Sequence, residues 1–323
     1  MLYPLTFQPI FKERIWGGRR LAELYGKTLP PVVPVGESWE LSDRPGDVSV
    51  IANGPLAGKD LRWLMENHQR ELLGDARALS GRFPLLVKIL DAQQTLSLQV
   101  HPPADRAVQL GGEPKTELWH LTAAAPDAEL FVGLKRGVTR PAFERRLQEG
   151  TVAECFHRIR VRAGDSMFLP SGRVHALGAG IVLFEIQQNS DTTYRVFDWN
   201  RAGLDGKPRA LHVAQSLASI DFDDFEPELI PKHTASEPGC RIQPLVNDPL
   251  FAVDVVTLGS AQSVSWSTPR CVILGVVQGE VLLVAGGHGL RLGAGQFCLV
   301  PACLRQLEAQ AQTVARFLKI ISG

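Results

Sequence analysis

The sequence predicts a mainly β protein with helical insertions in its N-terminal half. Apolar residues alternate with polar residues in several short runs, as they do in strands that are buried on one face. The 30 glycines and 22 prolines supply turns between many short strands. A length of 323 residues is sufficient for about two domains. The clearest alternating runs lie at 96–100, 118–121, 181–186, 272–276 and 281–284.

Three helices interrupt the strands. The second of them has a candidate N-cap in Thr139, a proline in its first turn at Pro141, and a stop signal at Gly150. The first and third are predicted from apolar spacing, at 59–73 and 211–220. We therefore expect helical insertions at about 56–75, 102–115 and 139–150.

A change of composition predicts a domain boundary. The acidic run Asp221–Glu228 is followed by a segment rich in turn formers, 231–244, and the remainder of the chain is strand-like. We expect a catalytic first domain over 1–230, a linker over 231–245 and a second all-β domain over 246–323.

Charge and cysteine content exclude several classes of protein. The chain has 34 Lys and Arg residues against 34 Asp and Glu residues, so it lacks the cationic field of nucleic-acid-binding proteins or of proteins that bind anionic lipid. No apolar stretch reaches the roughly 18–20 residues of a membrane span, and the first sixteen residues lack the apolar core of a secretory signal. Five cysteines without a CxxC pair indicate reduced thiols, so we expect a cytoplasmic protein.

The segment Thr95–His101 alternates strictly and is predicted to be a strand. Its parity places Ser97, Gln99 and His101 on one face, and Leu96, Leu98 and Val100 on the other. The polar face would lie either against solvent or in a polar interior. By the same parity, Lys115 and Glu117 share a face of the strand that follows.

The run Gly164–His175 indicates a metal site. Its spacing of Gly164, Pro170, Gly172 and His175 is that of the second signature of cupin barrels, and Gln99, His101 and the later Glu117 resemble the first signature. Gln99 replaces the usual histidine, and 102–115 is an insertion. Two imidazoles with two oxygen ligands suit Zn²⁺, Mn²⁺, Fe²⁺ or Co²⁺. The other histidines lack such partners and are expected to be structural or exposed.

The predicted fold is therefore two cupin-like jelly-roll β-barrels with helical insertions in the N-terminal half. Gly295 and Pro301 repeat the spacing of Gly164 and Pro170, but Cys303 and Gln306 replace the later glycine and histidine. We expect the second barrel to hold no metal.

Longer motifs resemble the class I mannose-6-phosphate isomerases in their short bacterial form. The resemblance spans 10–220 and rests on the runs 16–18, 36–42, 98–102, 112–119 and 185–195. It implies one zinc ion per chain held by Gln99, His101, Glu117 and His175. It also implies an active-site role for Arg195, a small-molecule sugar phosphate as the partner, and positions near that substrate for Lys88, Ser97 and Lys115. Trp16 and Glu37, which lie in two of the matching runs, are further candidate substrate contacts.

The implied chemistry requires these residue types. Interconversion of an aldose and a ketose moves a proton between C1 and C2 through a cis-enediol, so a metal must stabilise the developing oxyanion and a base must carry the proton. Glu185 is the candidate base because it shares an inward parity with Gln187. The substrate phosphate needs cations, and Lys115, Lys88 and Arg195 are available.

Other interpretations stay open at this point. Lys88 could extend from a strand edge into solvent, Arg195 could pair with Asp198 or Asp191, and Trp16 and Trp39 could serve packing alone. An iron-dependent cupin oxygenase and a non-catalytic sugar-phosphate-binding protein are alternative functions.

Overall fold

Four stacked β-sheets form the protein in a computed structural model that describes residues 2–78 and 80–323. The strands of the first half are β1 (Ile10–Gly18), β2 (Val35–Leu41), β3 (Asp43–Arg44), β4 (Asp47–Val48), β5 (Leu85–Ala92), β6 (Leu98–Val100), β7 (Glu117–Ala124), β8 (Glu129–Leu134), β9 (Phe156–Arg160), β10 (Ser166–Leu169), β11 (His175–Leu177), β12 (Ile181–Gln188) and β13 (Tyr194–Phe197). Those of the second half are β14 (Ala235–Glu237), β15 (Cys240–Asn247), β16 (Phe251–Leu258), β17 (Gln262–Ser267), β18 (Val272–Gln278), β19 (Glu280–Ala285), β20 (His288–Gly293), β21 (Phe297–Val300), β22 (Gln306–Ala311) and β23 (Ala315–Ser322). The helices are α1 (Arg20–Tyr25), α2 (Leu61–Leu73), α3 (Arg140–Gln148) and α4 (Val213–Ser219).

Each half contributes two large antiparallel sheets, and β3 and β4 of the first half pair in a separate two-stranded sheet. Sheet A has the order β1-β2-β5-β12-β7-β10, and sheet B has the order β13-β6-β11-β8-β9. Sheet C has the order β14-β15-β16-β23-β18-β21, and sheet D has the order β17-β22-β19-β20. The chain is therefore mainly β, as the sequence predicts. The described strands form open sheets, and none of them closes into the expected barrel.

The sheets stack in the order B, A, C, D, with the central sheets A and C apolar on both faces, whereas the strands of the outer sheet D alternate between buried and more exposed residues. One face of sheet A, including Val87 and Phe184, packs on Phe297 and Ile320 of sheet C. Its opposite face packs on sheet B, sheet C packs on sheet D, and the outer face of sheet B is covered by α3 and α4. Sheet A is thus enclosed on both faces.

The helices follow the sequence closely at two of the three predicted positions. The Asp60 side chain accepts a hydrogen bond from the amide of Trp63 at the start of α2, and the Thr139 hydroxyl accepts one from the amide of Ala142 at the start of α3. The third prediction, 211–220, is a shorter helix, α4. The longest described helix has 13 residues, and none of the described helices has the length and apolarity that a membrane crossing requires.

Three local expectations differ from the structure. The insertion 102–115 consists of turns rather than a helix, because the amides of Arg106, Ala107, Leu110 and Gly111 bond to carbonyls three or four residues earlier in separate turns and not in one continuous series. The expected strand 95–101 is paired only over β6. The segment 231–245 is not an unstructured linker, because β14 and most of β15 pair within it at the edge of sheet C.

The contact between sheets A and C predicts a large loss of stability from one substitution. Phe184 is fully buried, and its ring centroid lies 4.9 Å from that of Phe297 and 5.8 Å from that of Tyr25. Phe184→Ala should lower the free energy of unfolding by about 3–5 kcal/mol, because it leaves a cavity between the two halves. Urea unfolding measures this.

The matched control is Val314→Ala, since the Val314 side chain is exposed. It should change the free energy of unfolding by less than about 0.5 kcal/mol. Equal effects of the two substitutions would contradict the packing described for sheets A and C.

Candidate functional site

A cavity of about 560 Å³ opens between sheets A and B at one end of their sandwich. There the inner faces of both sheets carry polar instead of apolar side chains, because strand alternation turns every second residue inward. Eight of the eleven site residues expected from the sequence line this cavity: Trp16, Glu37, Lys88, Ser97, Gln99, Lys115, Glu185 and Arg195. The other three, His101, Glu117 and His175, form a buried cluster with ligand atoms within 4.8 Å of one another.

The two signature motifs are joined by the backbone. Gly164 and Gly172 adopt φ values of 85° and 94°, a region that favours glycine, and this explains their spacing before His175. The amide of Gly172 donates to the carbonyl of His101 at 2.9 Å. The turn that delivers His175 is therefore tied to the strand end that delivers His101.

The nitrogen and oxygen lone pairs of His101, His175 and Glu117 point toward one another in this cluster. The Nδ1 atoms of His101 and His175 lie 2.8 Å and 2.9 Å from the carbonyl oxygens of Thr192 and Arg173. A carbonyl only accepts hydrogen bonds, so each Nδ1 carries the ring proton and each Nε2 presents a lone pair. These Nε2 atoms lie 3.6 Å and 3.1 Å from the oxygens of Glu117. Between each imidazole and the carboxylate, two acceptors thus face each other and neither of them supplies a proton, an arrangement that fits a bound cation.

Lys115 neutralises the cluster in part. Its Nζ lies 2.6 Å from Oε2 of Glu117 and 3.3 Å from Nε2 of His101. Burial alone would raise the pKa of Glu117, but the Lys115 ammonium holds it well below its usual range. Burial, with the nearby Lys115 ammonium, lowers the pKa of His101 to about 3, so its imidazole is neutral and able to bind a metal.

Gln99 lies beside this cluster on β6. Its amide nitrogen is 3.2 Å from Nε2 of His175. Ser97, Gln99 and His101 face the space between the sheets and not solvent, so the interior alternative is the one that the structure shows.

Four charged side chains contact one another in series on the wall of the cavity that sheet A forms. Arg14 donates to Glu37 at 2.7 Å, Nζ of Lys88 lies 3.9 Å from Glu37, and it lies 3.0 Å from Oε2 of Glu185. The indole of Trp119 donates to Oε1 of Glu185 at 2.9 Å. Lys88 is therefore buried and paired, and does not extend into solvent.

The carboxylate of Glu37 is held by its neighbours in this series. Its Oε2 accepts a hydrogen bond from the Trp39 indole at 2.6 Å. Burial would raise its pKa, but Lys88 and Arg14 lower the pKa to about 2. Both of its oxygens are thus occupied by protein donors.

Arg195 lies on β13 opposite Gln99 of β6. Its Nη1 donates to the carbonyl of Ala210 at 2.8 Å, and no carboxylate among the described residues pairs with it. Asp198 pairs instead with Arg201 and Arg209, so the alternative pairing of Arg195 with Asp198 is not formed. Burial and the nearby Arg209 lower the pKa of Arg195, and Asp198 opposes this only in part.

Sequence reasoning missed two cations at the cavity, Arg14 and Arg209. Arg14 alternates with Trp16 along β1, so strand parity could have found it. Arg209 lies in an irregular segment that carries no local signal. Trp16 is buried and lines the cavity while also packing in the apolar core between sheets A and B, so its packing and cavity roles coexist.

The stacked sheets and the buried His/Glu/His cluster beneath a polar cavity define a metal-binding enzyme of mainly β structure. The model of the type I phosphomannose isomerase catalytic domain matches residues 5–131. The mannose-6-phosphate isomerase ManA of Bacillus subtilis is 36% identical over 98% of this chain and 99% of its own length. The chain therefore belongs to the type I phosphomannose isomerase family, and it is an isomerase of that family.

Further relatives agree over the full length. The mannose-6-phosphate isomerase of Streptococcus mutans is 34% identical over 98% of both chains. The crystal structure of the mannose 6-phosphate isomerase from B. subtilis superposes with a TM-score of 0.90 at 31% identity and covers 100% of both chains.

The cluster predicts that metal content depends on its own residues and not on neighbouring ones. His175→Ala and Glu117→Ala should each reduce bound metal from about one ion per chain to almost none, because each removes a ligand atom from the set. Mass spectrometric metal analysis after gel filtration measures this.

Two variants serve as controls. His120 is a buried histidine on the same strand as Glu117, but its Nδ1 contacts Ser166 and it is outside the cluster. His120→Gln and Arg195→Ala should both keep the metal. Full metal content in His175→Ala would place the ion elsewhere.

Proposed function

We propose that this protein interconverts mannose 6-phosphate and fructose 6-phosphate through a cis-enediol, with one zinc ion per chain. The observation that carries the proposal is the convergence of unprotonated ligand atoms from His101, His175 and Glu117 beneath a cavity that also holds Lys88, Glu185 and Arg195. Membership of the family supports the same reaction and substrate.

The residues fit a divalent metal. His101, Glu117 and His175 would hold it, and Gln99 would complete the set once its amide is turned so that oxygen faces the cluster. When bound, the ion acts as a Lewis acid that polarises the C1 and C2 oxygens and stabilises the negative charge that develops there. Two nitrogen and two oxygen ligands suit zinc.

Glu185 is the proposed base. It lies on the inner face of sheet A and lines the cavity. The Lys88 ammonium and the Trp119 indole each contact one of its oxygens, and these contacts fix the orientation of the carboxylate. A base held in this way can take the proton from one carbon and return it to the neighbouring carbon.

Arg195 is the cation that best suits the substrate phosphate. Lys88 and Lys115 are paired with Glu185 and Glu117, whereas Arg195 has no ion-pair partner in the described part of the chain. A guanidinium whose remaining N–H groups form no ion pair can donate hydrogen bonds to the oxygens of a phosphoryl group. The remaining proposed contacts to substrate are those of Trp16, Glu37, Ser97, Lys88 and Lys115.

We also propose a domain division. A catalytic domain comprises 1–230, and a second domain that holds no metal begins near β14, with each pair of sheets arranged as a cupin-like jelly roll. Cytoplasmic localisation is consistent with the five cysteines, all of which are free thiols.

A coupled assay on mannose 6-phosphate tests the function. Turnover should be present in the purified protein, fall to almost zero after chelation and return with added zinc. Arg195→Ala should keep its zinc and lose turnover. Activity that persists after complete removal of the metal would contradict the zinc mechanism, whereas oxygen consumption would indicate an oxygenase.

The enediol step predicts a specific result for Glu185→Gln. The variant should lose at least about 10²-fold in kcat, because the amide cannot accept the proton. In deuterated water the unmodified enzyme should incorporate deuterium at C1 or C2 during turnover, since a proton held by a carboxylate exchanges with solvent. Transfer with no incorporation would favour a direct hydride shift over the proposed route.

A further inference from the structure

The cationic side chains on the two sides of the cavity differ in how far carboxylates neutralise them. Arg14, Lys88 and Lys115 each have a carboxylate within 3.0 Å, and these pairs lie on the side of the cavity formed by sheet A. Arg195 and Arg209 line the opposite side.

On the side of the cavity that holds Arg195 and Arg209, a single carboxylate among the described residues forms ion pairs with arginine. Asp198 is buried and pairs with both Arg201 and Arg209, while Arg195 has no described ion-pair partner. Three guanidinium groups therefore share a single negative charge. The exposed carboxylates at the rim are Glu13, Asp191 and Asp205, and none of them forms a described ion pair with Arg195 or Arg209. Asp191 acts on Arg14 and Lys115, and Asp205 accepts a hydrogen bond from the amide of Lys207.

The guanidinium of Arg209 is held in a fixed plane. Its Nε and Nη2 donate to the two oxygens of Asp198, at 2.6 Å and 2.5 Å, in a bidentate arrangement. Arginine has five N–H donors, so three remain, including both on Nη1. A bidentate pair on one edge leaves the other edge of the same plane free for an anion.

A short hairpin carries Arg209 back to Arg195. Trp199 and Asn200 turn the chain with φ values of 56° and 54°, and Ala202 pairs with Pro208. The residue after Arg209, Ala210, accepts a hydrogen bond from Nη1 of Arg195. The hairpin thus brings the two arginines to the same end of the cavity.

We propose that Arg209 is a specificity-determining residue that binds the phosphoryl group of the substrate beside Arg195, and that Asp198 is the positioning residue that orients it. The identity of the substrate rests on the proposed function, but the anion site itself does not. The mutual repulsion of the arginines disfavours this end of the empty cavity, and a phosphate dianion would relieve it.

The test measures binding and turnover separately. Calorimetric binding of inorganic phosphate to the zinc-loaded protein should weaken about tenfold to a hundredfold in Arg209→Ala, the range expected for a charged hydrogen bond. The KM for mannose 6-phosphate should rise by a similar factor, with a smaller change in kcat. Arg209→Lys should recover part of the loss, because lysine keeps the positive charge but lacks the paired N–H donors of the guanidinium plane.

Asp198→Asn tests the positioning role. It should raise the KM for mannose 6-phosphate and weaken phosphate binding by a smaller factor than Arg209→Ala, with metal content unchanged. An effect on thermal stability alone, with unchanged KM and phosphate binding, would show that Asp198 only stabilises the hairpin through its ion pairs.

Lys207→Ala is the matched control, since it removes an exposed positive charge from the same hairpin. Its KM and phosphate affinity should stay within about twofold of the unmodified protein. An equal loss in Lys207→Ala and Arg209→Ala, or unchanged phosphate binding in Arg209→Ala, would overturn the proposal. If Arg209→Ala does not fold, Arg209→Lys decides by the same measurements.

The failure of each proposal has its own signature. Phosphate binding that depends on Arg209 in a protein without isomerase activity would leave the anion site standing and reject the proposed reaction. Isomerase activity with an unchanged KM in Arg209→Ala would support the proposed reaction and reject the anion site at Arg209.

Discussion

The buried carboxylate of Glu117 is the interaction on which the rest of the site depends. A charge with no exposure to solvent is costly unless other groups compensate it, and here Lys115, His101 and His175 surround it. Those partners come from both sheets of the first half, so the carboxylate fixes the separation and register of sheets A and B at the end where the cavity opens.

The same requirement explains why the polar residues are paired. Lys88 with Glu185 and Arg14 with Glu37 repeat the principle on neighbouring strands, which allows ionised groups to line an interior that is apolar elsewhere. The strand β12 shows how closely the two environments approach. Phe184 points into the contact with sheet C, and its neighbour Glu185 points into the cavity.

Local rules predicted most of the site. Strand alternation grouped Ser97 with Gln99 and Glu185 with Gln187, because the direction of a side chain along a strand depends only on its parity. It did not decide whether the face of Ser97 and Gln99 meets solvent or the interior, which depends on how the sheets pack. Two of the features that escaped prediction are local. The turns of 102–115 bond within five residues, and β14 and β15 form a hairpin closed by Glu237 and Cys240, but their turn-rich composition predicts only an insertion and a linker. The position of Arg209 depends instead on which distant segments meet, and a single sequence does not encode that in any local pattern.

The enclosure of sheet A has a consequence for synthesis of the chain. Its face toward sheet C is covered by strands that run from Ala235 to Ser322, so roughly ninety more residues must be made after the first half before that face is covered. At about 5–20 residues per second, that face would wait on the order of 5–20 s for its partner. During this interval the nascent chain carries a broad exposed apolar surface, the kind of surface on which chaperones act and from which aggregation begins.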